Sequence, residues 1–167
     1  MTISEESLAH HDAVAALNRA AFGGEHEAEL VRRLRADGLV ASSLVALEGG
    51  DVVGHILYSE LAVTVDGTPV RAVSLAPMAV RPDRQRRGIG SRLVAESLPL
   101  LRARGWGAVV VLGHPGFYPR FGFSAALAAK LASPFTGPAF MALELSPGAL
   151  AGRAGQVLYP PAFGIGH

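Results

Sequence analysis

Apolar residues recur along this chain in two rhythms, and the switches between them mark the elements. After a polar opening, in which Thr2 to Glu5 fits a short strand, Val14, Leu17 and Ala21 fall at helical spacing. Asp12 is placed as the N-cap of that helix and the Gly23-Gly24 pair as its break. Ala28, Val31 and Leu34 define a second helical stripe over Glu25 to Ala36. Arg32, Arg33 and Arg35 come late in it, where cations suit the helix dipole, and Gly38 is the stop. The rhythm then becomes two-fold. Leu44 to Leu47 reads as a strand, Gly49-Gly50 as a tight turn and Val52 to Val65 as a longer strand in which Leu61, Val63 and Val65 alternate. Asp66-Gly67 is a hairpin signal, and Val70 to Val80 is the third strand of the meander. Pro77 within it cannot donate to a ladder, so it marks an edge or a bulge.

After Arg81-Pro82 helical spacing returns. Gly88 to Arg104 reads as a helix, with Ile89, Leu93, Leu100 and Leu101 on one side, a kink expected at Pro99 and an end at Gly105. Ala108 to Leu112 is a wholly apolar run, the mark of a buried strand. It should lie parallel to the strand before the helix, by right-handed βαβ crossover. Pro115 to Phe123 is a loop with a short helical turn, and Ala139 to Leu145 is a further strand. The glycine- and proline-rich tail from Ser146 keeps Val157, Tyr159 and Phe163, which would pin it to the body.

Composition narrows the classes. With 167 residues, half of them hydrophobic, one domain over 1–167 is expected, and nothing reads as a linker or a repeat. A net charge of +1 provides no global field toward nucleic acid or an anionic membrane, so any anion must be gripped locally. The absence of cysteine excludes disulfides, thiolate metal sites and a cysteine nucleophile, and fits a reducing compartment. Met1 to Asp12 is polar and acidic, and no apolar run approaches the ~18 residues of a membrane span, so a soluble, cytoplasmic protein is expected. His10, His11 and His26 read as solvated or capping residues. No ligand spacing is present, so no metal is expected.

The stretch with chemistry is Leu75 to Gly90, which joins a strand to a helix through an arginine- and glycine-rich turn. A helix N-terminus presents unpaired N–H groups and partial positive charge, and glycines at 88 and 90 let a ligand approach the main chain. Arg84, Arg86 and Arg87 add charge for phosphates, so the turn suits a pyrophosphate. It lacks the Gly-Lys-Ser/Thr ending of a P-loop and the third glycine of a dinucleotide fingerprint. The bland alternative is a surface turn with solvated arginines.

In this context Gln85-x-x-Gly88-x-Gly90, with Met78-Ala79-Val80 before it and an amphipathic helix after it, resembles the acetyl-CoA-binding signature of GNAT N-acetyltransferases. Gly113 to Phe123, with its Tyr-x-x-Phe-Gly-Phe portion, resembles the tyrosine turn of these enzymes. Pro147-Gly148-Ala149-Leu150 with Tyr159 to Phe163 is similar to the YhbS-like bacterial branch. The resemblance implies an α/β (α+β) GNAT fold: a mixed, mostly antiparallel sheet with a splayed parallel strand pair at the cofactor site and helices on both faces. It implies direct attack of a primary amine on acetyl-CoA, without an acyl-enzyme.

By position, the resemblance assigns the pyrophosphate to backbone groups of Gln85, Arg86, Arg87, Gly88, Ile89, Gly90 and Ser91. It assigns the pantetheine arm to Met78, Ala79 and Val80, as an added strand. The Met78 N–H would face the thioester oxygen. Tyr118 would be the acid for the CoA thiolate, with packing in the aromatic turn as the alternative. The base is open between Glu60 and His114. His55 shares the long strand with Glu60, but alternation sends the two to opposite sides. The acceptor is not read from the sequence, nor is a preference for longer acyl groups. The family allows a homodimer, with the apolar tail as interface. A non-catalytic acyl-CoA sensor is the alternative function. Nucleic-acid binding through Arg81 to Arg87 is disfavoured by the near-zero net charge and the lack of interleaved aromatics.

Overall fold

Residues 1–165 are described by the structure, a computed structural model. They form two units, one made of Met1–Ser59 and Ala76–Pro99, the other of Glu60–Leu75 and the chain from Leu100 onward.

The first unit holds β1 (Thr2–Glu5), α1 (His11–Phe22), α2 (His26–Ala36), β2 (Val40–Glu48), the opening of β3 (Asp51–Val65), the end of β4 (Thr68–Val80) and most of α3 (Ile89–Ala103). β1 pairs antiparallel with β2, and β2 with β3. Most of the helical stripes are buried: Val14 and Leu17 on α1, Ala28, Val31 and Leu34 on α2, and Ile89, Leu93 and Leu101 on α3; Ala21 is half-buried, and Leu100, expected on the α3 stripe, is exposed. One helix start is corrected. Asp12 is not the N-cap of α1: a 3-10 turn over Leu8–His10 precedes the helix, and His10 occupies the cap position. The His10 ring instead accepts the Ser7 N–H at 3.1 Å, so the polar opening is spent on a turn. Asp12 lies in the first turn of the helix, where its charge suits the dipole.

The second unit holds the remainder of β3 and β4 with β5 (Ala108–Leu112), α4 (Ala125–Ala128), β6 (Leu131–Ala132), β7 (Phe140–Glu144) and β8 (Gly155–Leu158). β5 runs parallel to β4, Ala72 opposite Ala108 through Leu75 opposite Val111, and antiparallel to β7. The tail is pinned as its apolar residues predict, but as a strand: β8 pairs antiparallel with Ala62 to Val65, and Val157 and Tyr159 are buried. Phe163 packs edge-on to Tyr159 at 5.1 Å. The pairings make a mixed, mostly antiparallel sheet. α3 continues through Pro99, and the unit boundary falls directly after that proline. Among the described residues no helix is long and apolar enough to cross a membrane.

Candidate cofactor cradle and tyrosine turn

The end of β4 is prepared by a miscount in its own hairpin. Asp66 and Gly67, at φ 49° and 78°, form the two-residue turn that sets Val65 opposite Thr68. Regular pairing would then match equal offsets on the two strands. Instead the Arg81 N–H donates to the Val53 carbonyl at 2.8 Å. Val53 lies twelve residues before Val65, while Arg81 lies thirteen after Thr68. One extra residue on β4 is the count of a β-bulge. Pro77 lies in that stretch, and the Ala76–Pro77 peptide bond is cis.

The bulge decides which way the strand faces. Backbone groups alternate sides along a strand. With Arg81 bonded to β3, the main-chain groups of Val80 and Met78 point away from β3. The parallel register with β5 ends at Leu75, so among the described residues Met78 and Val80 have no strand partner on that side. The Val80 carbonyl receives the Gln85 side-chain amide at 3.1 Å. Gln85 therefore ties the turn back to the strand, a role that its place in the signature did not reveal.

The turn itself is braced by ion pairs. Arg81 binds Asp83 at 2.6 Å, and Arg84 reaches Asp83 and Glu48, both at 3.1 Å. Arg84 is thereby corrected from a phosphate ligand to a strut, because its guanidinium is already satisfied by two carboxylates. Arg86 and Arg87 are exposed, and among the described residues neither takes part in an ion pair. Arg86 at φ 63° and Gly88 at φ 81° turn the chain into α3. The first helical bond of α3 runs from Arg92 N–H to the Gly88 carbonyl at 3.0 Å, so the N–H groups of Ile89, Gly90 and Ser91 precede the ladder. Gly90 and Ser91 are half-buried, and the Ile89 side chain is buried, so Ile89 can offer a ligand only its backbone. Unpaired amides, the positive end of a helix and two exposed guanidiniums form an anion-binding turn.

The second constellation belongs to the other unit. Beyond β5, Gly113 donates to the Ala139 carbonyl at 2.9 Å, and a 3-10 turn runs over Tyr118–Phe121. Tyr118 is only 6% exposed, held edge-on by Phe117 at 5.0 Å and Phe123 at 5.5 Å. Burial pushes its pKa up to about 12. A Cβ on Gly113 would overlap the Tyr118 ring, so that glycine is what lets the ring lie where it does. His114 is exposed and contributes its carbonyl to the turn.

Of the two β3 residues, Glu60 is exposed and His55 is fully buried, within an unbroken buried run from Val53 to Ser59. Both ring nitrogens of His55 are engaged, Nε2 with Ser43 Oγ at 2.9 Å and Nδ1 with Asn18 at 3.4 Å. Burial holds its pKa down at about 4. It is a core residue and takes no part in proton transfer with a ligand. Among the described residues no group of three His, Cys, Asp or Glu side chains is placed to hold a metal.

The chain as a whole is similar to known proteins. A family model described as an acetyltransferase (GNAT) domain matches residues 2–126. The chain belongs to the GNAT acetyltransferase family. It is 39% identical over 149 residues to the N-acetyltransferase YhbS of Escherichia coli K12, covering 87% of this chain and 88% of that one. The crystal structure of E. coli YhbS in complex with CoA superposes with a TM-score of 0.88 at 36% identity, over 98% of this chain and 92% of that one. A GNAT family acetyltransferase from Brucella melitensis, in complex with acetyl-CoA, gives 0.80 at 34% identity and 97% of both chains. The fold is thus the GNAT fold, with β4 and β5 as its parallel pair.

Proposed function

We propose that this GNAT acetyltransferase holds acetyl-CoA on the open side of β4 at Met78 to Val80 and on the amides of Gln85 to Ser91, and transfers the acetyl group directly to a primary amine. The observation that carries the reading is the bulged end of β4, whose outward main-chain groups lead straight into an anion-binding helix start. The crystallised relatives with CoA and acetyl-CoA support the same ligand class. The residues present fit it: a strand edge for the amide groups of a pantetheine arm, and free amides with Arg86 and Arg87 for phosphates. Acetyl-CoA supplies, when bound, a thioester whose carbonyl carbon the amine nitrogen attacks, breaking the C–S bond and leaving a thiolate to be protonated.

The chain then has three tasks. The Met78 N–H, fixed by the strand, serves as the donor to the thioester oxygen, at no reorganisation cost. Tyr118 keeps its proton over the whole physiological range, because its pKa lies near 12. It serves as the donor to the departing sulfur. The acceptor ammonium gives up its proton to Glu60 or His114, both exposed. Residues 1–167 act as one acetyltransferase domain, since β3, β4 and α3 each run through both units. The cysteine-free sequence is in keeping with a cytoplasmic enzyme.

The test is a screen of primary amines with acetyl-CoA, reading free thiol. Turnover with at least one amine class is expected, without acetylated protein by mass spectrometry when no amine is present. Thiol release from no amine, with CoA still bound, would make this chain a sensor rather than an enzyme. Glu60→Gln and His114→Ala, compared in the active assay, separate the two bases.

A further inference from the structure

We infer that Gly54 is a positioning residue for the cofactor turn: by lacking a side chain, it seats the first turn of α3 at the depth from which the amides grip the diphosphate. The inference rests on the cofactor reading above and asks what holds that site in place.

Gly54 on β3 is the register partner of Ala46 on β2, and both are buried. This pair of small residues leaves a low place on the sheet. Ile89 and Leu93, one turn apart at the start of α3, fill it, with 4% and 0% exposure. A Cβ on Gly54 would stand 2.9 Å from Ile89 Cγ2, 3.1 Å from Leu93 Cδ1 and 3.2 Å from Ala46 Cβ. Carbon atoms in good contact lie about 3.5–4.0 Å apart, so a methyl group there must lift the helix start or displace Ile89. Gly54 has no positive φ. Its value is therefore space and not backbone freedom, and glycine inside a strand is a mark of such close approach.

The neighbouring residue ties down the other end. The Val53 carbonyl accepts the Arg81 N–H at 2.8 Å. Two consecutive β3 residues thus fix both ends of the segment 81–89, one by a hydrogen bond and one by the absence of a side chain. Raising Ile89 while Arg81 stays bonded must be absorbed in between, where Arg86 and Gly88 hold their left-handed conformations and the phosphate-facing amides begin.

The test is equilibrium titration of CoA into wild type, Gly54→Ala and Gly54→Ala/Ile89→Ala, with melting of each unliganded protein. Gly54→Ala should weaken CoA binding about tenfold, since small misplacements are costly at preorganised sites. The double variant removes Ile89 Cγ2 and should regain most of the affinity, although the lost Ile89 side chain lowers its melting temperature. If Gly54→Ala melts lower yet binds CoA as wild type does, Gly54 is a structural glycine only and the inference falls while the cofactor reading stands. If wild type itself binds no CoA, both fall. Should Gly54→Ala not fold, Ile89→Ala carrying either Gly54→Ala or Gly54→Val makes the same comparison. Ala fits the vacated space and Val overfills it, so only the Val form should bind CoA weakly. Equal binding by the two overturns the inference.

Discussion

Burial raises the pKa of Tyr118 to about 12 and lowers that of His55 to about 4, and the second shift makes stability depend on pH. His55 is neutral in the fold, and its neighbours require one tautomer. Ser43 donates to Glu6 at 2.7 Å, so its oxygen can accept Nε2–H, while Nδ1 accepts from the Asn18 amide. A second ring proton would meet that Asn18 donor in a dry site. Burial lowers the His55 pKa from 6.5 to about 4, against the pull of Glu6. The unfolded chain therefore binds a proton that the fold refuses. Stability present above pH 6.5 should drain away as pH falls toward about 4, by up to about 3 kcal/mol. Urea unfolding near pH 7 and about pH 4.5 checks this, and His55→Gln should lack that limb. Glu6 acts in a lower window. Burial raises its pKa, but hydrogen bonds from Arg35 and Ser43 outweigh that and leave it below its ordinary value of 4.5, so its contribution is lost only in stronger acid. The sequence placed His55 opposite Glu60 by alternation, but Glu6, Asn18 and Ser43 come from three other segments, and no local spacing announces them.

At the scale of elements, turns do most of the positioning. Tyr118→Phe removes the hydroxyl proposed for the sulfur and keeps the ring. Turnover should fall about 100-fold or more while CoA still binds; unchanged turnover would reduce Tyr118 to packing. Gly113→Ala should displace the same ring, with a similar loss of turnover and a further 1–3 kcal/mol or so of overpacking cost in denaturant melts. The Asp66-Gly67 hairpin also holds the tail: Asp66 accepts the N–H groups of Arg153 and Ala154, at 3.0 and 3.1 Å. Asp66→Ala should lower the melting temperature, because it frees the Arg153 and Ala154 N–H groups and puts alanine at a φ of 49°. Such turns were partly legible. Asp-Gly between alternating runs, and glycines after arginines before a helical stripe, are local signals. The bulge on β4 was readable only as an ambiguity at Pro77, since a miscount shows itself only against the partner strand. β6 and β8 left no rhythm, being too short for alternation to register.

Over the whole molecule, the near-neutral charge means that recognition of an anionic ligand falls on one turn. That turn was legible because its ingredients lie within one stretch, Leu75 to Gly90. The struts beneath it were not: Glu48 under Arg84, and Val53 with Gly54 under Arg81 and Ile89, are contributed by strands far back in the sequence. The most direct test of the account is the melting temperature with and without CoA, for wild type and for Arg86→Glu/Arg87→Glu. At about one hundred times Kd, CoA should contribute about 2.7 kcal/mol, a rise of roughly 5–10 °C for a chain of this size. The charge-reversed protein should melt as wild type does without ligand and lose most of the rise. No rise in wild type, or an equal rise in both, would contradict the account.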